Sequence, residues 1–174
     1  MKKKIILYIL GKIAEGTQGL SKIVADTFKI STNTVHTYLN ELIEQGIIEK
    51  QKRGTYNLVN TSKEYNFKRS AGELKYDNIP YDVCLEKEIN HLSENVKSIW
   101  AYGLSEMVNN VIDHSEAENM KMIIHQNYLS TSVLLFDDGV GIFEKIKNYF
   151  DLPNLDEAIC ELFKGKLTTD ETNH

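Results

Sequence analysis

Twice along this chain, apolar residues spaced three or four apart give way to short strand-like runs, and this repeated switch constrains the fold more than any other feature. Ile5, Ile6, Ile9, Leu10 and Ile13 predict a helix over residues 2–14 that ends in the Gly16 region. Leu20, Ile23, Val24 and Phe28 predict a second. Ser31, a good N-cap, opens a third helix whose buried stripe is Val35, Leu39, Leu42 and Ile43, and Gly46 supplies its left-handed stop. Residues 47–50 and 55–59 then read as strands flanking the basic turn Lys52-Arg53-Gly54. Helical spacing resumes at Val83 and continues through Leu85, Ile89, Val96, Trp100, Leu104, Val108 and Val111 to about Ser115, as two helices. Residues 120–127 and 131–137 read as an antiparallel strand pair, followed by helices over 143–150 and 155–163 separated by Pro153. The class expected is α+β.

Residues 61–82 carry no sustained period. They are polar, with Pro80 and scattered aromatics (Tyr65, Phe67, Tyr76, Tyr81), and read as a linker between a module over 1–60 and a larger one over 83–174. The charge balance differs across that boundary. Residues 1–60 hold nine Lys/Arg against five Asp/Glu, whereas the rest hold eleven against twenty. A small basic module suits a polyanion, and an acidic remainder repels one unless it binds a cation or a shielded nucleotide. No apolar run approaches the ~18 to 20 residues that span a bilayer. The short stretch after Lys2, Lys3 and Lys4 lacks a signal-peptide cleavage pattern, so a cytoplasmic location with no membrane partner is expected. Cys84 and Cys160 have no metal-ligand spacing and read as reduced thiols in or near a core.

Two motifs bear chemistry. Glu106 and Asn110 stand four apart, one above the other on a helix, and His114 extends the row by another turn. A carboxamide oxygen there can ligate a hard cation such as magnesium, and a carboxylate can orient and deprotonate an attacking hydroxyl. The same spacing also occurs on plain solvated helix faces. The second motif is the apolar run 134–136 ending in Asp137-Asp138-Gly139-Val140-Gly141. A carboxylate held at a strand end can accept a hydrogen bond from an amino group of a base, and glycines at 139 and 141 let backbone approach a flat ring. A bulged turn between strand and helix gives the same letters.

In this order and about 30 residues apart, the two motifs resemble the nucleotide-binding boxes of the GHKL superfamily of gyrase, heat-shock chaperone, histidine kinase and mismatch-repair ATPases. The implied fold is an α/β sandwich with helices on one face of a mixed sheet. The resemblance implies ATP and Mg2+ as cofactors, with Glu106 as general base, Asn110 as magnesium ligand and Asp137, Gly139 and Gly141 at the adenine. His114 looks like the histidine found four after this asparagine in anti-sigma-factor serine kinases, where it would contact phosphate or ribose. Lys164, Lys166, Thr168 and Thr169 would belong to a lid, Lys166 meeting phosphate. The family's second glycine-rich box is not within the 174 residues, so the resemblance implies an incomplete domain, a base-and-magnesium half-site without turnover.

The N-terminal order of three helices and a hairpin resembles the winged helix-turn-helix of bacterial regulators. That resemblance implies DNA as partner. Thr32, Asn33, His36 and Thr37 on the third helix would read bases, and Lys50, Lys52 and Arg53 on the wing would contact phosphates. Winged helices also serve as protein-interaction modules, and a homodimer would place two of them on one duplex. Together the resemblances imply a transcription regulator that couples ATP binding to DNA binding. The alternatives are an anti-sigma-type serine/threonine kinase and a catalytically inert scaffold.

Overall fold

The computed structural model describes residues 1–52 and 54–163. Its contacts divide the chain into two compact units, Met1–Lys63 with Ile123–Val133, and Glu64–Met122 with the described residues from Leu134 on. Among the described residues the class is α+β, with α-helices, two π-helical segments and two small antiparallel sheets.

The N-terminal unit carries α1 (Lys2–Ala14), α2 (Leu20–Phe28) and α3 (Thr32–Glu44). Each follows from its apolar stripe. Ile5, Ile9, Leu10 and Ile13 of α1 are buried against Leu20 and Val24 of α2 and Val35, Leu39 and Leu42 of α3. Tyr8 and Phe28 meet edge to face at 5.2 Å on the rim of that core. The helix ends are fixed locally. At Gly16 (φ 69) and Gly46 (φ 67) the chain enters the left-handed region, and paired bonds close the ends: Gly16 N–H to Ile13 and Thr17 N–H to Lys12, Gly46 N–H to Ile43 and Ile47 N–H to Leu42. Ser31 caps α3, its Oγ accepting from Thr34 N–H at 3.0 Å. An antiparallel hairpin follows, β1 (Ile48–Lys52) with β2 (Thr55–Leu58), in register Ile48 with Leu58 and Lys50 with Tyr56. Ile48 ties it to the helical core.

The second sheet has the order β3-β4-β5, with β3 at Thr61–Lys68, β4 at Asn119–Gln126 and β5 at Thr131–Asp137. A tight turn joins β4 to β5, where Asn127 N–H donates to the Ser130 carbonyl and Asn127 Oδ1 accepts from Leu129 and Ser130 N–H. The strand β3 lies in the segment read from sequence as a linker. As an edge strand it buries only Phe67, so its polar face of Lys, Glu and Asn hides the alternation that would announce it. Among the described residues β5 forms the other edge, with Leu134 and Phe136 exposed.

In the second unit a π-helical turn, Tyr81–Leu85, leads into α4 (Glu86–Ile89), then α5 (Glu94–Asn109). A second π-helical segment, Asn110–Ser115, continues α5. After β5 come α6 (Ile142–Tyr149) and α7 (Leu155–Phe163), which pack on each other across the break at Pro153. Leu85, Ile89, Leu104, Val108, Met120 and Met122 are buried. In β4 Met120 and Met122 alternate with half-buried Lys121, so one strand face is apolar. No described helix is long and apolar enough to cross a membrane.

Candidate functional site

Asn110 N–H donates to the Glu106 carbonyl, so the interval between these residues is α-helical and they share a face of α5. Beyond Asn110 the helix widens into π geometry, in which bonds run from i to i+5. The four-residue row expected from sequence therefore does not continue in register to His114. Asn110 and His114 nevertheless line the same cavity, of about 330 Å³. Its other wall is Leu135 and Asp137 at the end of β5 with Val140 and Gly141 in the turn to α6. Met107, Val111, Leu135 and Val140 make the lining mostly apolar, with Asn110, His114, Ser115 and Asp137 as its polar residues, the pattern of a small-ligand pocket.

Of the residues singled out by motif, Asn110, His114, Asp137 and Gly141 thus come together at one cavity. Glu106 does not line it; its side chain is exposed one turn earlier on α5. Gly139 stands behind the wall for a reason that spacing did not show. A Cβ there would fall on the Ser115 carbonyl oxygen and lie 2.6 Å from its carbon and 2.8 Å from Ala117 N. Val140 N–H donates to that same carbonyl at 2.6 Å. The turn after β5 is therefore docked on the end of the π-helical segment, which brings the two motifs together. Gly141 differs: its φ is −62 and a Cβ would meet nothing within 4 Å, so intramolecular packing does not require glycine there. Lys164, Lys166, Thr168 and Thr169 lie outside the described residues.

The turn is held by its own carboxylates. Asp137 Oδ1 accepts from Gly139 N–H at 3.1 Å, which engages one of its two oxygens. Asp138 accepts from Asn119 twice, from Nδ2 at 2.6 Å and from the backbone N–H at 2.8 Å. Those bonds, the side-chain amide first, hold the Asp138 carboxyl below its ordinary range.

Residues outside the motifs brace the wall formed by the end of α5 and its π-helical extension. Ser115 is buried; its Oγ donates to the Val111 carbonyl at 2.8 Å and accepts from Ala117 N–H at 3.1 Å. Arg69, just past β3, donates from Nε to the Ala117 carbonyl at 2.7 Å and from Nη2 to those of Val111 and Ile112 at 3.0 and 3.1 Å. Lys145 of α6 donates from Nζ to the His114 carbonyl at 3.1 Å. Arg69 fell in the segment read as a linker. The one sequence signal for it is rarity: the chain has two arginines beside eighteen lysines, and a planar fork of donors does what an ammonium cannot.

In the N-terminal unit, Thr32, Asn33, His36 and Thr37 are exposed along the first half of α3, with Thr37 Oγ1 donating to the Asn33 carbonyl at 3.1 Å. Lys50 and Lys52 are exposed on β1, and Arg53 lies outside the described residues. Comparison of the chain with protein-family models, with curated proteins and with solved structures finds no match.

Proposed function

We propose that the cavity binds an adenine nucleotide with magnesium, as one half of a GHKL-type site in a regulatory protein whose N-terminal unit is a DNA-binding winged helix. The observation that carries this reading is the convergence of Asn110, His114, Asp137 and Gly141, from two motifs about 30 residues apart, on one mostly apolar cavity. At about 330 Å³ it is at the small end for ligand pockets, a size suited to a base and its sugar. Asp137 keeps one carboxylate oxygen beyond its bond to Gly139 for the exocyclic amine of adenine. Gly141, bare on the cavity side for no packing reason, leaves room for a flat ring.

The residues fit a metal that arrives with the nucleotide. No group of three or more His, Cys, Asp or Glu among the described residues is placed to hold an ion alone. Magnesium is commonly held by few protein groups together with substrate phosphates, and the Asn110 amide oxygen is a donor of the required hardness. Bound there, the ion would neutralise phosphate charge. Glu106, outside the cavity walls, supports reading the site as one of binding rather than turnover. The exposed Thr32, Asn33, His36 and Thr37, with Lys50 and Lys52 beyond them, support α3 and the hairpin as the DNA-facing surface.

Calorimetric titration with Mg-ATP tests the first part. Binding by wild type is expected, with GTP weaker by roughly 10-fold or more because guanine offers a carbonyl to the Asp137 carboxylate, and Asp137→Asn should erase that preference. Equal affinity for both nucleotides would sink the adenine assignment. Lys50→Ala with Lys52→Ala should weaken duplex binding and flatten its salt dependence; unchanged binding would remove the hairpin from the DNA reading.

A further inference from the structure

The wall that carries Asn110 and His114 is an unusual helix end. After the π-helical segment the chain leaves at Glu116 with φ 59, so the last carbonyls of that segment have no continuing helix to receive them. In an α-helix, Val111 and Ile112 would each accept from a backbone N–H four residues on. Here Ser115 Oγ and Arg69 Nη2 meet the Val111 carbonyl, Arg69 Nη2 also meets that of Ile112, and Arg69 Nε reaches past the turn to Ala117. A cation at this end also opposes the partial negative charge of the aligned peptide dipoles. The Arg69 backbone N–H is itself anchored to the Glu118 carbonyl at 2.9 Å. One planar group therefore fixes three carbonyls on either side of Ser115, the residue whose own carbonyl receives Val140 N–H from the opposite wall.

We propose that Arg69 is a positioning residue of the nucleotide site. Through backbone carbonyls alone, it locks the widened turn that sets Asn110 and His114 against Asp137 and Gly141. The proposal rests on the nucleotide reading above. Arg69 does not line the cavity, so its effect on a ligand runs entirely through the wall. Lysine keeps the charge but lacks a fork able to span three acceptors, and alanine removes all three bonds, leaving the Val111 carbonyl to Ser115 Oγ.

The test is Mg-ATP titration of wild type, Arg69→Ala, Arg69→Lys and Leu85→Ala, each also followed by thermal unfolding. Leu85 is fully buried in the same unit and stands for plain loss of stability. Arg69→Ala is expected to weaken binding by on the order of 10- to 100-fold, the usual effect of removing a group that orients a ligating side chain. Arg69→Lys should recover only part of that. Millimolar methylguanidinium should restore affinity to Arg69→Ala where methylammonium does not. Leu85→Ala should bind within twofold of wild type at temperatures below its midpoint. Arg69→Ala binding within twofold of wild type, or a loss that Leu85→Ala reproduces, overturns the positioning role while the nucleotide reading stands. Should Arg69→Ala fail to fold, Arg69→Lys decides the matter: binding within twofold of wild type overturns the role. A wild type that binds no nucleotide overturns the nucleotide reading, and the positioning role with it.

Discussion

Two helices of the N-terminal unit and the extended α5 of the second unit end by opposite means. In the N-terminal unit α1 and α3 stop at glycines whose neighbours close the last turn, every partner lying within five residues. In the second unit the extension of α5 is finished by a guanidinium more than forty residues earlier in the chain and by a turn more than twenty residues later. Local termination makes a module whose shape survives changes elsewhere. Long-range termination makes the geometry of a site conditional on several tertiary contacts at once, which exposes it to disruption and also to control.

The contrast can be broken by substitution. The largest effect is expected from Leu39→Ala, which empties the centre of the N-terminal core and should destabilise that unit by about 2–5 kcal/mol, read from amide exchange of α1 to α3. Nucleotide affinity at low temperature should hold; a matching loss of affinity would deny the units their separate stabilities. Next comes Gly139→Ala, which drives a methyl group onto the Ser115 backbone and should cost about 1–3 kcal/mol while also weakening Mg-ATP binding. A protein that accepts this alanine with unchanged stability would mean that the two walls are not docked as described.

Gly46→Ala should cost less, about 1 kcal/mol, because the strain is confined to one left-handed residue with open space around it. It should leave nucleotide affinity alone, and a change there would contradict the local character of this stop. The smallest effect is a pH dependence at Asp138. Its carboxyl is held below the ordinary range in the folded chain. Its stabilisation is therefore complete above the unfolded Asp range and is withdrawn as pH falls through the lower, folded value. Wild type should exceed Asp138→Ala in thermal midpoint at pH 7, with the gap narrowing toward pH 3. A constant gap would assign the effect to packing.

How much of this was legible in the sequence divides along the same line. The extents of α1 and α2 could be read because their stripes of Ile, Leu and Val run the length of each helix and each stop follows within two residues. The α+β class followed from the switch in spacing. Asn110, His114, Asp137 and Gly141 could be named together, but the widening after Asn110 could not. It goes with Ser115 Oγ and Arg69 both donating to the Val111 carbonyl, and neither leaves a periodic trace. Gly139 was expected to admit a base, whereas its close neighbour is the backbone of Ser115. β3 escaped because an edge strand with one buried side chain has no alternation to read.

Among the described residues β5 is an outer strand of the second sheet, and this carries a consequence for handling the protein. Residues 131–137, Thr-Ser-Val-Leu-Leu-Phe-Asp, contain neither proline nor lysine, and their only charge is at the end. Leu134 and Phe136 are 43% and 53% exposed. Edges of that composition template pairing between chains. During refolding at high concentration, chain-to-chain strand addition at this edge would compete with native folding, so dilution is expected to favour recovery of the native fold.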